Sequence, residues 1–341
     1  MLMVFGLSAY SVCWPAFAQG HGAAVQAYGA IIKTRLDRIP DAIVEDVTIY
    51  AKENAHSDKK IVRKGQLVRY PNAQATILIS HGFMCDKFDI GFLRGLFKHG
   101  RYNEMTFDFR AHGELANGQI CTFGRDEAYD VLAAAEFLKN HPELKNKPLF
   151  VYGFSMGAVA SIEAQSKKPV FDAMILDCPF DSSENVLKKC LGDIKFSLFG
   201  YELSVPGRHL LEKYAFHPYV QAFVKVLLKA IAKLDPKSVD THIVPFYPVE
   251  SIKHVSVPCF FIHCKRDEKV PASSIKAIYE GASGPKKLWL TNGRSHFDSY
   301  FYNPEKYVER VRGFLSEVIQ GKWKSKTDQV VLEDDEDSIV G

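Results

Sequence analysis

The stretch "PLFVYGFSMGAVA", Pro148 to Ala160, decides how this chain is read. An apolar run with the look of a buried strand passes straight into Gly153-Phe154-Ser155-Met156-Gly157 and then into small residues suited to a helix. A serine at the tip of so tight a strand-to-helix turn is forced to positive φ, and the chain on either side passes so close to itself that side chains at Gly153 and Gly157 would collide. The hydroxyl is thereby lifted out of the sheet beside a helix N-terminus, whose unpaired N–H groups stabilise an anion. This is the G-x-S-x-G pattern of a nucleophile elbow, and an accidental match in a loop is the competing reading.

The flanking sequence alternates between strand-like and helix-like segments. "AIVEDVTIYA" and "KIVRKGQLVRY" read as two antiparallel strands joined by the polar loop "KENAHSDK". Six apolar runs follow: "ATILIS", "EMTFDF", "PLFVYG", "FDAMILD", "VPCFFIH" and "KKLWLT". Runs without polar alternation suit parallel strands buried on both faces. An amphipathic helix is expected between Phe123 and Asn140. The fold class is therefore α/β, with a mostly parallel, eight-stranded sheet flanked by helices. In such sheets ligands gather at the carboxyl ends of the strands.

Each of three other runs is followed by residues with chemistry. After "ATILIS" comes His81-Gly82-Phe83-Met84, where the Phe83 N–H, with that of Met156, would form an oxyanion hole. After "VPCFFIH" comes Asp267, and after "KKLWLT" comes His296. Ser155, Asp267 and His296 each follow their own strand, in the chain order of a Ser-Asp-His triad.

The segments "ISHGF", "FDFRAHGE", "GFSMGA", "LDCPFDS", "IHCKRDEKVP" and "GRSHFDS" fall in the order of the α/β-hydrolases. From about Val44 to Leu315 the chain resembles the serine-aminopeptidase-like and prolyl-oligopeptidase-like esterase branch of that superfamily. The resemblance implies the α/β-hydrolase fold, with Ser155 as nucleophile, His296 as base and Asp267 holding the imidazole. It implies no cofactor and no metal. Cys264 departs from the pattern, standing where relatives usually carry glycine, and bears on how Asp267 is aimed.

Other polar residues have plainer readings. Asp177 also ends a strand and is the rival acid; otherwise it hydrogen bonds at the start of "CPFDSS". His81 belongs to its turn, His112, Asp108 and Arg110 read as structural loop residues, and His263 as a core histidine. Residues 183–249 form an insertion far longer than an ordinary connection, read as a helical cap. Within it, "HPYVQAFVKVLLKAIAKL" puts Val220, Phe223, Val224, Leu227, Leu228 and Ile231 on one side and lysines on another. Phe223 and Leu227 are the candidate substrate-binding residues, with a supporting helix or a weak membrane-surface contact as alternatives.

Length and composition frame these readings. The chain has 341 residues, 47% hydrophobic and 24% charged, with a net charge of +3, too small for a nucleic-acid binder. Residues 1–18, ending "AFA", read as a signal peptide and hence an exported protein. The core is assigned to 40–182 and 250–320, and 321–341 to a disordered acidic tail. Of the seven cysteines, Cys85 and Cys121 are candidates for a disulfide, while Cys259 and Cys264 read as small apolar residues. Together these features define a serine hydrolase, favouring a carboxylesterase. An aminopeptidase-like or thioesterase activity, or a non-catalytic hydrolase-fold binding protein, are the alternatives. The substrate is accordingly a small acyl ester or a short peptide; nothing in the sequence sets the oligomeric state.

Overall fold

The computed structural model describes residues 42–90, 93, 97, 101–192, 195–198, 201–204, 213–214, 216–217, 219–220, 222, 239–323 and 328–332. Two antiparallel strands come first, β1 (Ile43–Lys52) and β2 (Lys60–Arg69), paired from Ile43 with Arg69 to Lys52 with Lys60. Then follow β3 (Ala75–Ser80), β4 (Tyr102–Phe107), α1 (Glu127–Asn140), β5 (Leu149–Phe154), α2 (Met156–Lys167) and β6 (Ala173–Asp177). After α3 (Ser183–Gly192) comes a hairpin of β7 (Lys195–Leu198) and β8 (Tyr201–Ser204). The chain resumes with β9 (Cys259–Cys264), α4 (Ala272–Gly281), β10 (Lys286–Thr291), α5 (Asp298–Tyr302), α6 (Pro304–Ile319) and β11 (Asp328–Leu332).

All eight expected strands lie in one sheet, which among the described residues has nine, in the order β1-β2-β4-β3-β5-β6-β9-β10-β11. From β4 to β11 every pairing is parallel, and only β2 runs against its neighbours. Every residue of β3, β5, β6 and β9 is buried, as their unbroken apolar runs require. Alternate side chains serve opposite layers. Leu78, Val151, Met174, Leu176 and Phe261 join the core beneath α1, α2 and α4. Ile77, Ile79, Phe150, Ile175, Phe260 and Trp289 join Tyr307, Val311 and Phe314 of α6 on the other face.

Four expectations are corrected. The helix expected from Phe123 begins at Glu127, because Phe123 and Gly124 both adopt positive φ and Glu127 accepts hydrogen bonds from the N–H groups of Thr122 and Gly124. The insertion is not purely helical: β7 and β8 form a separate two-stranded sheet within it. The ninth strand comes from the tail expected to be disordered, where Asp328–Leu332 pairs in parallel with β10. The five residues "DQVVL" precede the acidic run and carry the apolar, β-branched side chains that an edge strand needs.

The fourth correction concerns the disulfide. Cys85 and Cys121 are both buried thiols, and the Cys121 Sγ lies 3.5 Å from the Met156 Sδ instead of on Cys85. Phe223 and Leu227 lie outside the described residues, as do the N-terminal residues 1–18. In the cap, Val220 is half-buried against the main core cluster. The insertion is tied down where it returns: the Ser183 hydroxyl donates to the Val244 carbonyl at 2.8 Å and accepts the Phe246 N–H at 3.0 Å.

Candidate active site

Ser155 stands between β5 and α2 with φ 51° and ψ −116°, in the strained region expected of an elbow. The two glycines are explained by what surrounds them. A Cβ on Gly153 would lie 2.6 Å from the Ala158 Cα, and one on Gly157 would lie 2.2 Å from the Ser80 carbonyl oxygen and 2.5 Å from that of His81. Gly157 thus lets α2 rest against the backbone that leads into the His81–Met84 turn. Gly157→Ala is expected to destabilise the fold by about 3 kcal/mol, since a backbone neighbour cannot rotate away. Gly313→Ala, within α6 and with nothing in the way, should be neutral or stabilising. Urea unfolding of the two variants checks this, and equal stabilities would refute the steric account.

Met156 opens α2, so its N–H has no carbonyl within the helix to bond and lies at the positive end of the helix dipole. Phe83 follows Gly82 immediately beyond β3, at the same edge of the sheet. Two histidines fix that turn. The Phe109 N–H donates to His81 Nε2 at 3.0 Å, and the Met84 N–H donates to His112 Nε2 at 3.1 Å. Each Nε2 therefore lacks a proton, and each ring carries its proton on Nδ1, donating it to the Gly82 carbonyl at 2.7 Å and the Arg110 carbonyl at 2.8 Å respectively. Burial pushes His112 down to about 3, so this ring stays neutral. The Phe107–His112 loop is anchored in turn by the ion pair of Arg110 with Asp130 and that of Lys87 with Asp108. Both histidines, Asp108 and Arg110 thus have the structural roles expected of them. A cavity of about 460 Å³ opens beside Met84, lined also by Lys87, His112, Asn117 and Val239.

Asp267 and His296 arrive from the loops after β9 and β10. The His296 Nδ1–H donates to Asp267 Oδ2 at 2.7 Å, and His296 Nε2 lies 2.9 Å from the Ser155 Oγ. The remaining carboxylate oxygen of Asp267 accepts the N–H groups of Lys269 and Val270, both at 2.9 Å. Burial alone would raise the Asp267 pKa, but the neighbouring His296, through its charge and its hydrogen bond, holds it below the ordinary carboxylate value. His263 is a buried core histidine as expected; its Nε2–H donates to the Val270 carbonyl at 3.0 Å and so steadies the turn that carries Asp267. The Cys264 thiol fits because Gly293 opposes it: a Cβ on that glycine would lie 2.7 Å from the sulfur. Cys264 reaches the Ser299 hydroxyl at 3.1 Å and leaves the aim of Asp267 undisturbed.

The rival acid is placed elsewhere. The imidazole Nδ1 is taken by Asp267, and the Asp177 side chain accepts the Tyr307 hydroxyl at 2.6 Å. Cys178, which sequence reading passed over, adopts φ 44° and brings its sulfur to 3.8 Å from His296 Nε2. Nothing in its sequence context separates it from the other buried cysteines. Among the described residues there is no group of three or more His, Cys, Asp or Glu side chains that could hold a metal ion. Nor is any described helix long and apolar enough to cross a membrane.

Against known proteins, the model of the alpha/beta hydrolase family matches residues 77–310. The chain belongs to that family. It is 27% identical to the uncharacterized protein YqkD of Bacillus subtilis (strain 168) over 254 residues, which is 74% of each protein. It is 24% identical over 252 residues to the alpha/beta hydrolase domain-containing protein aho-3 of Caenorhabditis elegans, covering 72% of this chain and 58% of that one. Among solved structures, the Pyrococcus furiosus esterase Pf2001 matches with a TM-score of 0.58 and 23% identity, over 81% of this chain and 93% of its own. Family and fold together place the protein among the hydrolases.

Proposed function

We propose that the protein is a serine hydrolase whose preferred substrates are carboxylic esters with small to medium acyl groups. The observation that carries this reading is the single imidazole of His296, 2.7 Å from the Asp267 carboxylate on one side and 2.9 Å from the Ser155 hydroxyl on the other. A free serine hydroxyl is a poor nucleophile; here Nε2 takes its proton as Oγ attacks the carbonyl carbon, and Asp267 stabilises the imidazolium that forms. The negative oxygen of the tetrahedral intermediate would be received by the N–H groups of Phe83 and Met156. His296 then returns the proton to the leaving alcohol, and a water molecule activated in the same way releases the acid.

The cap supplies substrate preference in this reading, with Phe223 and Leu227 on an acyl-binding wall. Burying one acyl methylene is worth about 0.8 kcal/mol, so each added carbon improves kcat/KM up to roughly fourfold until the wall ends. A p-nitrophenyl ester series of graded length tests this in wild type and in Leu227→Glu. Charge at Leu227 should weaken longer esters far more than acetate; an equal loss across the series would make the helix a support and not a wall. Hydrolysis of peptides or thioesters with none of esters would move the assignment to those alternatives. Failure of a fluorophosphonate to label the purified protein would favour a non-catalytic binding protein. The proposed export rests on the N-terminal stretch alone, without the support a Cys85–Cys121 bridge would have given.

A further inference from the structure

Behind Ser155 lies a group of three side chains that none of these steps uses. Asp177, at the end of β6, is wholly buried. Its Oδ2 accepts the hydroxyl of Tyr307, from α6, at 2.6 Å, and the hydroxyl of Tyr152, from β5, lies 3.2 Å away. The two phenol oxygens are themselves 2.6 Å apart. The second carboxyl oxygen, Oδ1, is buried with no hydrogen-bond partner among the described residues. The cluster adjoins the reacting groups on both sides. The Asp177 carbonyl accepts the Ser155 N–H at 2.8 Å, and the next residue, Cys178, places its sulfur 3.8 Å from His296 Nε2.

Counting protons shows what the cluster does. Three oxygens form a triangle, and each edge needs one proton to be a hydrogen bond. The phenols supply two, which fill the short edges from Tyr152 to Tyr307 and from Tyr307 to Asp177. When the carboxyl is ionised, Tyr152 has one proton for two acceptors, the Tyr307 oxygen at 2.6 Å and Asp177 Oδ2 at 3.2 Å, so the longer edge is left without one. A third proton, on Oδ2, closes the ring. Burial favours that proton and outweighs the opposing pull of the phenols, of His296 and of the Cys178 thiol, bringing the Asp177 pKa up to about 7. Both tyrosines are held well above their ordinary value by burial, so the carboxyl is the member that titrates. The titratable groups that influence Asp177, or are influenced by it, are Tyr152, Tyr307, Cys178, His296 and, from β9, Cys264. Of these, His296 alone becomes cationic during the reaction.

We propose that Asp177, Tyr152 and Tyr307 form a proton-holding cluster that regulates the hydrolase site, its ionised form supporting the imidazolium on His296 and its protonated form withholding that support. The inference rests on the serine-hydrolase reading of Ser155 and His296. Only an unprotonated imidazole can take the Ser155 proton, and only the ionised cluster supports the charge that results. The two requirements act in the same direction, so the rate climbs with pH more steeply than a single ionisation allows. Asp177 and the tyrosines are positioning residues, acting through His296 and touching no substrate.

The rate of Ser155 labelling by a fluorophosphonate between about pH 5 and 9 tests this without knowledge of the substrate. Wild type should show two ionisations. Asp177→Asn should show one, with a high-pH plateau lowered roughly 5- to 10-fold for the lost charge. Tyr307→Phe, which removes the 2.6 Å donor to the carboxylate, should move the second step upward by about one pH unit. A uniform loss at every pH with the wild-type profile shape in both variants overturns the inference, leaving the cluster as packing. Should Asp177→Asn fail to fold, Tyr307→Phe carries the same comparison. Infrared difference spectra of the wild type across this pH range give a second readout. A carboxylic-acid carbonyl band that fades as pH rises and is missing in Asp177→Asn supports the cluster, and its absence overturns it. Labelling that does not depend on Ser155 removes the hydrolase reading and the regulatory claim with it, while the infrared band still reports whether the carboxyl titrates.

Discussion

Ser155→Ala is expected to fold as the wild type does and to lose about six orders of magnitude in turnover. The Ser155 hydroxyl is within hydrogen-bonding distance of His296 Nε2, and its backbone strain at φ 51° is felt equally by alanine, which carries the same Cβ. Its N–H continues to bond the Asp177 carbonyl, so the elbow keeps its place in the sheet. Steady-state hydrolysis, checked beside a urea unfolding curve, separates lost chemistry from lost structure. Substantial hydrolysis by the purified variant would remove Ser155 from the mechanism.

Asp267→Asn is expected to cost about four orders of magnitude with the structure intact. Its loop dictates how an asparagine must sit. Two backbone N–H groups, from Lys269 and Val270, point at one side-chain oxygen, so the amide oxygen of an asparagine takes that place. The amide nitrogen then faces His296 Nδ1 where Oδ2 stood. Two donors cannot share that contact, so the imidazole gives up its Nδ1 proton and carries it on Nε2, the nitrogen that has to receive the Ser155 proton. The wrong tautomer, and not a displaced ring, causes the loss. Asp177→Asn serves as the comparison: if it proves the more damaging change, the acid has been misplaced.

The parts of this protein legible in its sequence are those governed by short-range rules. The central strands could be read because a parallel strand buried on both faces needs an unbroken apolar run, and β3, β5, β6 and β9 each have one. Ser155, Asp267 and His296 could be named because each lies in the loop that leaves a strand, even though Ser155 and His296 are 141 positions apart in the chain. What stayed hidden depended on particular contacts. The strands β7 and β8, four residues each, are too short for alternation to register. The tail strand depends on the open edge that β10 offers. The assumption that cysteines in neighbouring loops would pair failed because Cys121 turns toward Met156. Tyr152 and Tyr307 lie in different elements far apart in sequence, and only the packing of α6 on the sheet brings their hydroxyls to the same carboxylate.

The crowding around Gly153 and Gly157 bears on what the five-residue signature can certify in any chain that carries it. Each glycine answers to backbone already in place, Gly153 to Ala158 and Gly157 to Ser80 and His81 at the end of β3. A descendant that abandoned hydrolysis and let the serine drift would remain under the same steric demand at both flanks. The glycines therefore testify to architecture and the serine to chemistry, and the two can part company over evolutionary time. A genome survey that scored only the spacing of small residues would collect working enzymes and retired ones alike; telling them apart takes the serine, the histidine and the aspartate together.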